Sequence, residues 1–191
     1  MVIAGDIVLQ KQKKAVKKWF GEIKRGNEVA DLKFMPVTLS EKKSLYFEGN
    51  FAKLHEFRMV FPTVEMLHKD QYAFEILGEM LSGSKKSPLY QEVVVSKKLA
   101  PRVLSYNSSN ELVGEFSFAV RANAGVDLNE VKVVLDKGLE NFETNFDESQ
   151  LKPIKAQLEV ELYRGTESVQ DKAFALARGN VYAKDTANVI K

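Results

Sequence analysis

The strongest constraint on how this chain can fold is the order of signals between Gly83 and Val120. Ser87 can cap a helix whose first position is Pro88, where a missing N–H costs nothing and a fixed φ already suits the helix. A short amphipathic helix then runs through Leu89-Tyr90-Gln91-Glu92-Val93. Leu99-Ala100 turns the chain into two strand patterns, Val103 to Asn107 and Phe116 to Val120, separated by Gly114. Phe116, Phe118 and Val120 alternate with Ser117, Ala119 and Arg121, which gives the second strand one buried face. Helix and strands in this order predict a sheet with helices laid against it.

The flanking sequence extends the pattern. Val2-Ile3-Ala4 reads as a strand leading through Gly5-Asp6 to a helix with Val16, Trp19, Phe20 and Ile23 on one side. Its lysines, from Lys11 to Lys18, are read as a solvated face. Residues 26–40 lose periodicity and form a connection. Ser44 to Glu48 and Leu54 to Phe61 follow as strands, the second with Phe57, Met59 and Phe61 facing one way and Glu56 and Arg58 the other, and Pro62 is expected to end it. Tyr72 to Leu81 carries a helical stripe closed by Gly83. Asp127 with Glu130 forms a capping box, and Val126 with Val131 a hydrophobic staple, ahead of a helix striped by Val134, Leu135, Gly138, Leu139 and Phe142. A helix from about Ser149, with Pro153 in its first turn, precedes a last one from about Thr166 that buries Val169, Ala173 and Ala177. The fold class is α+β: a two-layer sandwich of a mostly antiparallel sheet with helices packed against it.

At 191 residues and 45% hydrophobic, the chain has the size and material for one globular domain, read as 1–191 with its main sandwich over 42–191. Both ends, Val2-Ile3-Ala4 and Asn188-Val189-Ile190-Lys191, read as cuts through a longer protein. A net charge of +2 is too small for the basic footprint that phosphate-backbone binding needs, so nucleic acid is not an expected partner. The absence of cysteine excludes disulfides and thiolate zinc sites. Neither a signal peptide nor a membrane span is apparent in the sequence, and the compartment stays open, export of a longer parent to the periplasm or cell envelope being one alternative.

Catalytic chemistry is sparse. His55 and His68 are the only imidazoles. A zinc helix of the H-E-x-x-H kind would need histidine where Met59 stands, and the inverted H-x-x-E-H order fails at both histidines. Gly83-Ser84-Lys85 lacks the G-K-[ST] order of a phosphate loop and follows a helix rather than a strand. No catalytic or metal-binding residue is therefore assigned.

The motif of Gly83, Ser87, Leu89, Tyr90, Leu99, Ala100 and Gly114 resembles the insulinase-like (pitrilysin, mitochondrial processing peptidase) zinc metallopeptidases, specifically their non-catalytic second domain. Phe61-Pro62-Thr63, Tyr72-Ala73 and Gly165-x-Glu167-Ser168 are similar to further family positions in the same order. The resemblance implies that residues 1–25 are the last strand and helix linking to a missing catalytic domain, which would hold the zinc, and that this chain is inactive alone. Its expected partners are that domain, the second half of the parent peptidase and a peptide substrate in the chamber between the halves. An arginine and a tyrosine that hold substrate in the second half of such proteins align with Val94 and Pro101 here, so that pair is absent. Two functions remain open: a non-catalytic domain that forms part of the substrate chamber and positions peptides for metal-dependent hydrolysis, or a scaffold or pseudo-peptidase subunit. Val103, Leu104, Ser105, Tyr106 and Asn107 are the candidate peptide-contacting residues, because a strand there could pair with an extended peptide if it lies at a sheet edge. Whether it is an edge or an internal strand cannot be read from the sequence.

Overall fold

The structure, a computed structural model, describes residues 1–186 and divides the chain into two compact units, residues 33–157 and residues 1–32 with the chain from 158 onward. The carboxy-terminal Asn188-Val189-Ile190-Lys191 lies outside the described residues. The unit 33–157 holds a three-stranded antiparallel sheet of β1 (Glu56–Thr63), β2 (Leu104–Ser109) and β3 (Gly114–Arg121), in the order β1-β3-β2. With helices on one side of it, this is the two-layer α+β arrangement expected from the sequence.

β3 is central, paired with β1 on one side and β2 on the other, and its alternation buries one face. Phe116, Phe118 and Val120 are buried on one face, against α2 (Gln71–Ser82), α3 (Pro88–Tyr90) and α4 (Leu128–Thr144). Leu81, Leu89, Val93, Val131 and Leu135, each fully buried, come from the helices. Burying a side chain of this size contributes about 1.5–3 kcal/mol, so this cluster dominates the unit's stability. Phe118 meets Phe116 at 5.2 Å between ring centroids in an edge contact.

The helix starting at Pro88 continues as a π-helical stretch, Gln91–Ser96. It ends where the Leu99 N–H bonds the Val93 carbonyl around Lys98, whose φ is +53°. Ser87 adopts the extended backbone of a cap, yet its hydroxyl makes no capping bond. Instead the Ser84 N–H donates to Ser87 Oγ at 3.1 Å, which fixes the loop between the helices. Asp127 caps α4 by accepting from the Asn129 N–H.

Several expectations are corrected. Val2-Ile3-Ala4 and Ser44 to Glu48 are not strands: among the described residues neither has a paired neighbour, and without a ladder apolar alternation alone does not hold a strand. Leu45, Tyr46 and Phe47 are almost wholly exposed. Pro62 does not end β1, which runs to Thr63. The Ala122 N–H bonds the His55 carbonyl, so in an antiparallel ladder residues 57, 59, 61 and 63 exchange bonds with β3 while 56, 58, 60 and 62 face outward. Proline is tolerated at such an outward position of an edge strand.

In the other unit, α1 (Leu9–Phe20) buries no residue, and Trp19 carries Lys18 Nζ at 4.7 Å from its ring centroid. α5 (Leu151–Arg164), which begins within the unit 33–157, follows a 3-10 turn, Glu148–Gln150, capped by Asp147, so its start is two residues beyond Ser149. α6 (Val169–Tyr182) begins after Ser168, which caps it by accepting from the Asp171 N–H. Thr166 instead bonds back to the end of α5. Ala173 and Ala177 are half-buried, while Val169 is exposed.

Candidate functional site

All helices of the unit 33–157 that join its core do so from the side of Phe116 and Phe118, which leaves the opposite face of the sheet open. Period-two alternation puts Glu56, Arg58, Val60 and Pro62 of β1, Leu104 and Tyr106 of β2, and Glu115, Ser117, Ala119 and Arg121 of β3 on that face. The register sets Arg58, Ala119 and Leu104 in one row and Val60, Ser117 and Tyr106 in the next. Small residues on the middle strand between large ones on both sides make a shallow trough along β3. Its walls stand about 10 Å apart, twice the strand spacing. Val60, Leu104 and Tyr106 remain 40–47% exposed, whereas Ser117 at the bottom is 3% exposed.

One end of the trough is charged. Glu56 accepts from Arg58 Nε at 2.7 Å and from Arg121 Nη2 at 2.9 Å, so one carboxylate holds two guanidinium groups. The hydrogen bond from Arg58, followed by that from Arg121, holds the Glu56 carboxyl below the usual carboxylate range. At the other end Glu115 accepts a long bond from Ser117 Oγ, at 3.4 Å.

The five candidate residues, Val103 just before β2 and Leu104 to Asn107 within it, do not share one surroundings. Val103 is buried in the core, Leu104 and Tyr106 face the trough, and Ser105 and Asn107 lie on the helix side. Among the described residues β2 pairs with β3 alone, so it is an edge strand there. Its outer edge is nevertheless partly closed by α2. The Ser105 N–H, which points away from β3, donates to Ser82 Oγ at 2.7 Å, and Ser105 Oγ donates to the Gly78 carbonyl at 2.9 Å. A Cβ on Gly78 would stand 2.9 Å from the Ser105 carbonyl oxygen, so only glycine lets the helix come this close. A covered edge is protected from unwanted pairing, and what β2 offers a ligand is chiefly its open-face side chains.

The family-motif residues act in packing. Leu89, Leu99 and Ala100 are buried in the core, Tyr90 packs against it, and Gly83 ends α2 through its N–H to the Glu79 carbonyl. Gly114 lies where Thr63 Oγ1 and the Val64 carbonyl would collide with any Cβ. The room it leaves lets Thr63 of β1 donate to Asn107 Oδ1 of β2 at 2.9 Å. Of the positions aligned with the absent arginine and tyrosine, Val94 packs on the core and Pro101 is exposed.

His68 accepts from the Asp70 N–H through Nδ1, and His55 precedes β1 on an exposed stretch. Among the described residues no three His, Cys, Asp or Glu side chains gather as metal ligands, so the zinc of the family does not fit this chain and no step runs through it. No described helix is long and apolar enough to cross a membrane. The Glu56–Arg58–Arg121 group went unrecognised in the sequence. The alternation of β1 places Glu56 and Arg58 on one face, but bringing Arg121 beside them takes the β1–β3 register.

The sequence matches the family model described as the Peptidase M16 inactive domain over residues 1–158. No curated protein matches it. Among solved structures, a protease from Helicobacter pylori is similar with a TM-score of 0.76 and 22% identity, over 98% of this chain and 46% of that one. A peptidase M16 inactive domain from Pseudomonas fluorescens has a TM-score of 0.71 and 15% identity, over 97% of this chain and 43% of its own. The inactive peptidase domain of a putative zinc protease from Bordetella parapertussis has a TM-score of 0.61 and 15% identity, over 71% and 73%. The chain thus spans about half the length of the Helicobacter pylori protein. With the family model covering most of its length and the motif residues accounted for by the sandwich they build, this chain belongs to the M16 peptidase family, as an inactive domain.

Proposed function

We propose that this domain forms part of the wall of a substrate chamber in a longer zinc metallopeptidase, and that it positions peptides without taking part in the chemistry. The observation that carries the reading is the open sheet face, whose trough along β3 is one strand wide and walled by Val60, Leu104 and Tyr106. Apolar side chains left half-exposed on both walls suit an extended peptide, whose alternate side chains have the spacing of Leu104 and Tyr106 along β2. Zinc, and the water it would activate, belong to a partner catalytic domain in this reading. Here the chain contributes only surface.

The test is steady-state kinetics of the longer protein on a fluorogenic peptide. Tyr106→Ala and Leu104→Ser are expected to raise KM roughly three- to tenfold with little change in kcat, as loss of binding equal in ground and transition states requires. Unchanged KM in both variants contradicts the reading. The chain by itself is expected to show no zinc-dependent cleavage, and chelator-sensitive hydrolysis by it would also count against this assignment.

A further inference from the structure

The trough has a charge polarity that the wall function does not require. At one end two guanidinium groups share one carboxylate, so Arg58, Arg121 and Glu56 together carry a charge of +1. Arg58 is bound through Nε alone, and its side chain is 62% exposed. Its Nη nitrogens make no hydrogen bond among the described residues. Arg121 spends Nε and Nη2 on Glu56 and keeps Nη1. Glu115, the other carboxylate of the face, lies two register rows along the strands from Arg58 and acts on the Arg58 guanidinium far less than Glu56 does. Between the ends the floor is Ser117 and Ala119, without charge.

We propose that the Arg58–Arg121 end selects an acidic side chain, Asp or Glu, of an extended peptide lying along β3; this rests on the chamber-wall reading. Glu56 is the positioning residue: it holds both arginines on the face so that the free edge of Arg58 is presented as a fork, the geometry that a carboxylate accepts in a bidentate manner. The Tyr106 ring, one row along on the opposite wall, bounds the peptide backbone.

The test is fluorescence anisotropy of the longer protein with EDTA present, so that binding is read whether or not the protein cleaves. The probes are a labelled, unstructured decapeptide with one central Glu and twins carrying Gln or Lys there. The Glu peptide is expected to bind more tightly than its Gln twin by roughly three- to tenfold, the scale of one exposed charge-assisted contact. Arg58→Gln removes that preference by weakening the Glu peptide alone, and Arg58→Glu moves it to the Lys twin. Equal binding of the Glu and Gln twins, or equal weakening of both by Arg58→Gln, overturns the proposal. If Tyr106→Ala weakens both twins while Arg58→Gln changes neither, the wall stands and acidic selection fails. If neither substitution alters binding, both fail.

Discussion

Gly114 makes room for a side-chain link between the sheet's two edge strands, Thr63 to Asn107 across β3. Because the atoms a methyl group would meet include the Val64 backbone carbonyl, the neighbour cannot swing aside. Gly114→Ala is expected to cost about 1–3 kcal/mol in a urea titration, as overpacking does elsewhere. Glu56 acts at the surface and is worth less. Its carboxyl is held below the ordinary range, so its contribution is complete above the unfolded-state pKa and is lost as pH falls through the lowered folded-state value. Glu56→Gln should therefore cost up to about 1 kcal/mol at neutral pH, with the difference from the parent closing below about pH 4. A difference that persists in acid would mean that packing, not the ion pairs, is lost.

At the level of elements, legibility followed local physics. Strands β2 and β3 and the helices from Tyr72, Pro88 and Asp127 could be read because periodicity, a proline start or an acidic cap marks each of them within a few residues. The π-helical stretch could not be read: the β-branched run Val93-Val94-Val95 weakens an ordinary helix but does not say what replaces it. The run from Ser44 to Glu48 has strand composition without a strand, because pairing is a property of the neighbour and not of the segment. Pro62 misled for the reverse reason: only the ladder phase tells whether a missing N–H matters. That phase makes a paired prediction. Val60→Pro, at an outward position, should keep the unit folded, whereas Met59→Pro removes an N–H that bonds β3 and should abolish cooperative unfolding or lower the midpoint sharply. Circular dichroism melts of the two variants decide it, and equal effects would show the phase to be wrong.

Across the whole molecule, the sandwich explains why a family signature can exist without catalytic residues. Leu89, Leu99, Ala100 and Gly114 are there because the core and the sheet require them, and they point to the fold rather than to a reaction. The candidate site was half legible. The strand read over Val103 to Asn107 stands in the structure as Leu104–Ser109, but which of its side chains face outward depends on the register, and Arg58 with Arg121 became visible only when β1 and β3 were side by side. A peptide held by this domain is expected to meet the open sheet face. Photo-crosslinking tests it most directly: a benzophenone side chain is placed at Tyr106 in the longer protein, with a control at Lys132 on α4, and a labelled peptide is added. Adducts are expected from position 106 and not from 132. Adducts at neither position, or at both alike, would contradict it.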